Sequence, residues 1–322
     1  MNRHLPVTVI GGYLGCGKTT LVNHLLRHSD GMRLAVLVND FGALPIDADL
    51  IESQDGDVIS LSGGCICCSY GNDLGEALLN LQSADRPIDQ VLIESSGVAL
   101  PGAIGSSLTL LRDFRLHCIA VMVDVETIRQ HATDKYLADT IEKQLFDADL
   151  ILLNKVDLVN KEYYQAVQKW VVTMNSAAHL VSTEQAAVTP AVILDKHWRQ
   201  STDEGAESDA INVPEFPRLS GSTPVHGPAV FDSIEFALTQ RYRVDVLAKK
   251  LAASISGIVR AKGFVPGPDG TLKTLQIVGS RWTVSNAPTD ATAGLVCIGR
   301  TGEVSVESVR DWIDSAVEAT DL

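Results

Sequence analysis

Hydrophobic residues in roughly the first two hundred positions fall into short continuous runs separated by amphipathic stretches. Runs rich in Val, Ile and Leu are typical of parallel strands covered by helices on both faces. The predicted strands are residues 6–10, 34–38, 58–61, 90–93, 118–123, 150–153 and 179–182. The predicted helices are residues 19–27, 74–81, 135–146 and 162–174. This alternation predicts a doubly wound, mostly parallel α/β domain.

The pattern changes after residue 196, where a polar stretch rich in Pro, Gly and Ser predicts a linker over residues 197–228. Beyond it, the sequence predicts strands at residues 230–237, 257–264, 271–278, 282–286 and 295–298, and helices at residues 245–256 and 304–317. We therefore predict a first domain over residues 1–196 and a smaller α+β domain over residues 229–322.

Composition and charge narrow the functional classes. The 322 residues are 45% hydrophobic and 20% charged, which excludes a disordered chain. The net charge of −14 repels phosphate backbones and anionic lipid, so we expect neither a nucleic acid nor a membrane as partner. No apolar run approaches the roughly 20 residues of a membrane span, and the start lacks a secretory signal. We expect a soluble, cytoplasmic protein whose cysteines stay reduced.

Directly after the first predicted strand, residues 12–20 read GYLGCGKTT and fit the phosphate-loop pattern G-x-x-x-x-G-K-[ST] at every fixed position. Glycines let the backbone curl so that its N–H groups and the following helix N-terminus point at phosphate oxygens. Lys18 would neutralise the β- and γ-phosphates, and the Thr19 hydroxyl would bind Mg²⁺. The completeness of the motif disfavours a plain glycine-rich turn. The predicted nucleotide-binding residues here are Gly12, Gly15, Cys16, Gly17, Lys18, Thr19 and Thr20.

Two acids follow predicted strands, Asp40 in VNDFG and Glu94 in VLIESSG. Ligands of open parallel sheets collect at the carboxyl ends of the strands. The alternative for either acid alone is a helix cap or a solvated loop carboxylate. We predict that Asp40 and Thr19 bind magnesium, and that Lys18, Asp40 and Glu94 are the catalytic residues for attack of water on the γ-phosphate.

The segment LLNKVD places Asn154, Lys155 and Asp157 at the end of another strand, in the guanine-specific pattern N-K-x-D. The Asp157 carboxylate can accept hydrogen bonds from N1–H and the 2-amino group of guanine, a donor pair that adenine lacks. We expect Asn154 to support the loop and approach the N7 edge of guanine, and the Lys155 stem to lie along the purine face. The sequence therefore predicts GTP and GDP as ligands.

Three of the six cysteines, Cys65, Cys67 and Cys68, lie within GGCICC. Clustered cysteines in a reducing compartment indicate a metal site or a redox group more than a disulfide. Three thiolates suit Zn²⁺ or Cu(I) and leave a fourth coordination position open, which favours metal transfer over permanent structural zinc. Buried packing thiols and a redox switch are the alternatives. The isolated cysteines Cys16, Cys118 and Cys297 are predicted to be packing residues.

In order along the chain, GYLGCGKTT, VNDFG, GGCICC, ESSGVALP and NKVD resemble the motifs of the CobW-type metal-chaperone GTPases, which are relatives of UreG and HypB. The second domain resembles the CobW C-terminal domain through IVRAKGFV and LVCIGR. The resemblance implies GTP hydrolysis coupled to delivery of a metal, often zinc, to a client metalloprotein. The sequence departs from the family pattern at Asp40, where many members have Glu, and at Leu100, where an acid is common.

Motifs and resemblance together predict a GTP-hydrolysing metallochaperone that takes zinc, or Co²⁺ or another transition metal, at the three thiols. We expect slow basal turnover, accelerated by the client or by a second copy of the chain in a nucleotide-dependent homodimer. One alternative is a regulatory GTPase or scaffold whose zinc is structural. Another is an ATP-dependent small-molecule kinase, which the NKVD motif disfavours.

Overall fold

The computed structural model describes residues 4–39, 58–61, 72–82, 88–194, 231–253, 256–288 and 291–318. These residues form two compact units, each built around its own β-sheet. The first unit contains the predicted nucleotide motifs, and the second contains the C-terminal strands.

The first unit contains a seven-stranded sheet in the order β3-β2-β4-β1-β5-β6-β7. Its strands are β1 Leu5–Gly11, β2 Leu34–Asn39, β3 Val58–Leu61, β4 Gln90–Glu94, β5 Phe114–Asp124, β6 Leu150–Asn154 and β7 His179–Thr183. All neighbouring strands pair in parallel. The chain runs outward from β1 in both directions, so the predicted doubly wound fold is confirmed.

In the described connections, helices join these strands because each crossover between parallel strands has to pass over a sheet face. The helices of the first unit are α1 Lys18–Arg27, α2 Asn72–Gln82, α3 Pro101–Leu108, α4 Ile128–His131, α5 Ala138–Phe146 and α6 Lys161–Met174. Their apolar sides pack on fully buried strand residues such as Val9, Ile93 and Ile151. In the described ranges, no helix is long and apolar enough to cross a lipid bilayer.

The second unit contains a five-stranded antiparallel sheet in the order β11-β10-β9-β12-β8. Its strands are β8 Phe231–Phe236, β9 Ile258–Pro266, β10 Leu272–Val278, β11 Arg281–Asn286 and β12 Gly294–Arg300. Two helices, α7 Val244–Leu251 and α8 Val306–Asp314, supply apolar residues to its core, among them Leu247 and Val309. A small α+β unit was the predicted architecture for this part of the chain.

Several boundaries differ from the predictions. Strand β5 begins at Phe114, earlier than expected, since the polar residues between Phe114 and Cys118 hide the strand pattern. Helix α3 was not predicted because its sequence PGAIGSSL contains two glycines and two serines. Helix α7 ends at Leu251, short of the predicted end at residue 256. The predicted linker lies in residues 195–230, outside the described residues, so the domain boundary remains a prediction.

Asn175 ties the end of α6 to the turn that follows α5. Its Nδ2 donates to the carbonyl oxygens of Leu145, Phe146 and Ala148 at 2.9, 3.1 and 3.0 Å. Its Oδ1 accepts from two main-chain amides of the next turn, each at 3.0 Å. One side chain therefore satisfies polar groups on two successive connections of the fold.

We expect Asn175→Ala to lower the free energy of unfolding by about 1–3 kcal/mol, because main-chain groups lose their partners. Urea denaturation followed by circular dichroism measures the change. Thr173→Ala is the control, since its exposed hydroxyl bonds only within its own helix, to Trp170 O at 2.6 Å. Equal unfolding midpoints for Asn175→Ala and the parent chain would contradict the assigned role.

Candidate functional site

The phosphate loop lies between the end of β1 and the start of α1. Gly12 and Gly17 have φ angles of 129° and 110°, in the region that L side chains rarely adopt. A Cβ on Gly12 would lie 2.3 Å from Met122 O, and one on Gly17 would lie 2.6 Å from Asn154 Nδ2. Gly17 is also the N-cap of α1 and has no side chain to accept from the first-turn amides. The first-turn amides of α1 therefore remain available to donate hydrogen bonds to an anion in the loop.

Thr19 and Glu94 meet at the base of this loop. Parallel pairing of β1 with β4 places Ile10 opposite Glu94, and Thr19 Oγ1 donates to Glu94 Oε1 at 2.8 Å. Glu94 is only 2% exposed. Lys18, 8% exposed, donates from Nζ to Tyr13 O at 3.4 Å, across the loop. The cation and the acid therefore contact the phosphate loop at neighbouring positions, Lys18 through its own side chain and Glu94 through Thr19.

The Thr19–Glu94 pair fits a magnesium ion by its chemistry. Mg²⁺ prefers oxygen ligands and is usually held by one or two carboxylates together with waters and substrate phosphates. The hydroxyl and the buried carboxylate lie within hydrogen-bonding distance of each other, as two oxygens near one cation would. Asp40, the other predicted magnesium ligand, lies outside the described residues.

Cys16 lies in the phosphate loop, but its thiol has no chemical role there. Its side chain is buried, and burial raises the pKa of its thiol to about 11 despite the opposing effect of Lys18. A neutral thiol is a poor metal ligand and nucleophile. Its main chain stabilises the loop, since Cys16 N donates to Tyr13 O at 3.3 Å.

Asn154 links the predicted base loop to the phosphate loop. It ends β6, is 2% exposed, and donates from Nδ2 to Cys16 O at 2.9 Å. Its Oδ1 accepts from Ala186 N at 2.9 Å. The predicted supporting role of Asn154 agrees with these contacts, which occupy both ends of its amide.

The rest of NKVD lies on a tight turn. Lys155 has a φ of 63°, and its Nζ forms an ion pair with Asp124 Oδ2 at 2.6 Å. Asp157 follows in a 3₁₀ turn over Val156–Leu158, with an exposed side chain. The carboxylate therefore remains accessible to a base while its neighbours are held in place.

Two features of this site were missed by the sequence predictions. One is the loop after β7, where Gln185 and Ala186 have φ angles of 50° and 57° and Thr183 Oγ1 donates to Ala187 O at 2.7 Å. It contains no glycine or asparagine that would indicate left-handed turns. The other is Asp124, the acid that holds Lys155. Its position at the carboxyl end of a buried strand was a usable signal.

The predicted thiol site lies outside the described residues, as do Cys65, Cys67 and Cys68 themselves. Within the described part of the chain, no group of three or more His, Cys, Asp or Glu side chains could hold a metal ion. Cys118 and Cys297 are buried, as Cys16 is, which agrees with their predicted packing roles.

A parallel sheet with a phosphate loop after β1, an acid at the end of β4 and NKVD at the end of β6 defines a P-loop GTPase. Residues 6–182, more than half of the chain, match the model of the CobW/HypB/UreG nucleotide-binding domain. The chain therefore belongs to the CobW/HypB/UreG family of P-loop GTPases.

The chain is also similar to several individual proteins. The zinc chaperone CobW of a Sinorhizobium species is 28% identical over 86% of each chain. The zinc-regulated GTPase metalloprotein activator 1 of Dictyostelium discoideum is 29% identical over 81% of this chain. That alignment spans 62% of the Dictyostelium protein, less than two thirds of its length. The crystal structure of Zn(II)-bound YjiA GTPase from E. coli is 20% identical over 99% of this chain, with a TM-score of 0.45.

We expect Lys18→Ala to reduce GTP hydrolysis by about 10²-fold or more, because the loop loses the charge that opposes the phosphates. Phosphate release is measured together with circular dichroism. Lys143→Ala is a matched control, since Lys143 is exposed and its only described ion pair is with Asp139, one helical turn away. Ordinary turnover in a folded Lys18→Ala protein would remove the phosphate-loop assignment.

Asp157→Asn should shift nucleotide preference from guanosine to xanthosine, because the new amide donates where xanthine has an acceptor. We expect GTP affinity to fall by about 10²-fold or more, because the N1–H and 2-amino donors of guanine lose their carboxylate acceptor. Titrations with GTP, XTP and ATP measure the preference. Glu162→Gln, an exposed carboxylate in the first turn of α6, makes the same charge change and should keep GTP selectivity. Unchanged selectivity in Asp157→Asn would place base recognition elsewhere.

Proposed function

We propose that the chain is a GTP-hydrolysing metallochaperone. In this proposal a transition metal, zinc in the first place, binds Cys65, Cys67 and Cys68 and passes to a client metalloprotein in step with the nucleotide cycle. The printed names of the Sinorhizobium and Dictyostelium relatives, a zinc chaperone and a zinc-regulated metalloprotein activator, support a metal as the cargo.

The observation that carries the proposal is the order of strands in the first sheet. Strand β3 lies two positions from β4, about 10 Å at ordinary strand spacing. Cys65 follows the end of β3 at Leu61 by four residues, which span at most about 14 Å of extended chain. The parallel strands end at the same edge of the sheet, where Glu94 contacts Thr19. This placement supports a thiol site close to the phosphate site.

For hydrolysis, the residues have distinct tasks. Lys18 opposes the charge of the β- and γ-phosphates, and Thr19 with Asp40 holds magnesium, which supplies further charge neutralisation when bound. The loop amides at the start of α1 bind phosphate oxygens. Glu94 accepts from Thr19 and orients the hydroxyl, and in this proposal its carboxylate assists water attack.

For base recognition, the Asp157 carboxylate accepts hydrogen bonds from the guanine donors. Asn154 stabilises the turn on which Asp157 lies. The Lys155–Asp124 ion pair holds the Lys155 ammonium group in place beside that turn. The loop containing Ala186 is attached to the same asparagine. Purine binding and phosphate binding therefore rest on one connected set of hydrogen bonds.

The alternative function is a regulatory GTPase or scaffold with structural zinc. Metal retained through a complete GTPase cycle favours the scaffold, and metal lost to an acceptor favours the chaperone. We propose that turnover is stimulated by the client or by a second copy of the chain, since the sequence motifs assign no arginine to the phosphate site.

We expect zinc to bind more tightly in the GTP state than in the GDP state, since delivery follows hydrolysis. Two sites that share one conformational change affect each other by the same factor, typically about 5- to 150-fold. Zinc affinity is measured by competition with a chromophoric chelator, with GDP or with a non-hydrolysable GTP analogue bound.

Two variants control this measurement. Cys67→Ser should lose tight zinc binding in both nucleotide states, because a hydroxyl is a poor replacement for a thiolate. Cys297→Ala removes a buried thiol whose pKa is raised to about 12 by burial, and should leave zinc affinity unchanged. Equal zinc affinities in the two nucleotide states would overturn the delivery mechanism and leave a GTPase with structural zinc.

A further inference from the structure

Gln144 is a buried polar residue on α5 with no part in the motifs described above. It is 2% exposed. Its Nε2 donates to Gly97 O at 3.1 Å and to Ala99 O at 2.8 Å. Both acceptors belong to the segment that follows Glu94 at the end of β4. An amide has two N–H donors, and here both bond to one short stretch of main chain.

That stretch also lies against the phosphate loop. A Cβ on Gly97 would lie 2.6 Å from the Leu14 side chain and 2.8 Å from Leu14 N. The main chain of Gly97 is therefore in close contact with the backbone of the loop. Ala99 N donates to Ser96 O at 3.1 Å, which closes the segment into a turn. The turn is held on one side by Leu14 and on the other by Gln144.

A second contact from α5 holds the end of the same segment. Asp147 Oδ2 accepts from Gly102 N at 3.2 Å, in the first turn of α3. A Cβ on Gly102 would lie 2.3 Å from this carboxylate oxygen, so the approach depends on glycine. Burial raises the pKa of Asp147, and the Gly102 amide partly opposes that effect. Helix α5 thus fixes residues 97–102 at both ends.

We propose that Gln144 is a positioning residue for GTP hydrolysis. It holds the Gly97 main chain against the phosphate loop, so that this turn and Glu94 stay in register with the γ-phosphate. The inference rests on the proposed use of the phosphate loop and Glu94, and is independent of metal transfer. Small displacements of groups around a reacting phosphate reduce rates steeply, by about 10²-fold for 1 Å.

Replacement by glutamate tests the donor role directly. Gln144→Glu keeps the shape but, when ionised, presents only acceptors to two carbonyl oxygens. When protonated, the carboxyl regains one O–H donor. Burial and the nearby carbonyl oxygens disfavour the charged form and raise the pKa of the introduced group. Activity relative to the parent chain at the same pH should therefore be lowest at the alkaline end, near pH 9.5, and recover as the pH falls towards 6.

The experiment measures kcat and KM for GTP, together with GDP affinity, from about pH 6 to 9.5, a range that extends past the pKa of about 8–9 documented for buried glutamates. We expect Gln144→Leu to lower kcat by about 10-fold or more at every pH, while GDP affinity changes little. Gln144→Glu should approach Gln144→Leu at the alkaline end of this range, near pH 9.5, and approach the parent chain near pH 6.

Asn175→Ala is the matched control, because it also removes amide-to-carbonyl bonds at α5 but touches neither Gly97 nor Ala99. Its kcat should stay close to that of the parent chain.

The proposal is overturned if the activity of Gln144→Glu relative to the parent chain does not vary with pH. It is also overturned if Gln144→Leu has the same kcat as Asn175→Ala. If Gln144→Leu does not fold, the pH profile of Gln144→Glu alone decides. Loss of activity in Lys18→Ala with unaffected Gln144 variants would refute this inference and leave the phosphate-loop assignment intact.

Discussion

The side-chain amide of Asn154 connects the parts of the nucleotide site. One end donates to the phosphate loop at Cys16, and the other accepts from the loop after β7 at Ala186. A buried amide with both ends bonded is costly to disturb, because each broken bond leaves a polar group without water. The phosphate loop and the base loop are therefore placed by the same residue. Its own position follows from the parallel pairing of β6 between β5 and β7.

A second connection runs through β4. Glu94 ends this strand and accepts from Thr19, and the residues after it pass between Leu14 and Gln144. Glu94 contacts the phosphate loop directly, through Thr19. Gln144 on α5 contacts it only indirectly, through the main chain of Gly97. A change that displaces Gln144 would therefore reach the phosphate site through the turn at Gly97.

Most strands of the first sheet and the phosphate loop could be predicted from the sequence, because the residue patterns that indicate them are local. Continuous apolar runs located β4 and β6 to within a residue, and the glycines of the phosphate loop predict its turn. Helix α3 was missed because glycine and serine lower its helix propensity, and its stability comes from burial of Ile104 and Leu108 on the sheet. The roles of Gln144 and Asp124 depend on partners more than 25 residues away in sequence. The strand-end position of Asp124 indicates a site residue, but nothing in the local pattern identifies Lys155 or Gly97 as the partner.

Burial of the described cysteines has a consequence for redox chemistry. Cys16, Cys118 and Cys297 are each at most 2% exposed, and burial raises the thiol pKa to about 11 for Cys16 and about 12 for Cys297. Oxidants, alkylating reagents and soft metal ions react with accessible thiolate. The described cysteines of the folded chain therefore offer these agents very little reactive sulfur. Modification of the native protein by a thiol reagent would then report on Cys65, Cys67 and Cys68, without background from the phosphate loop.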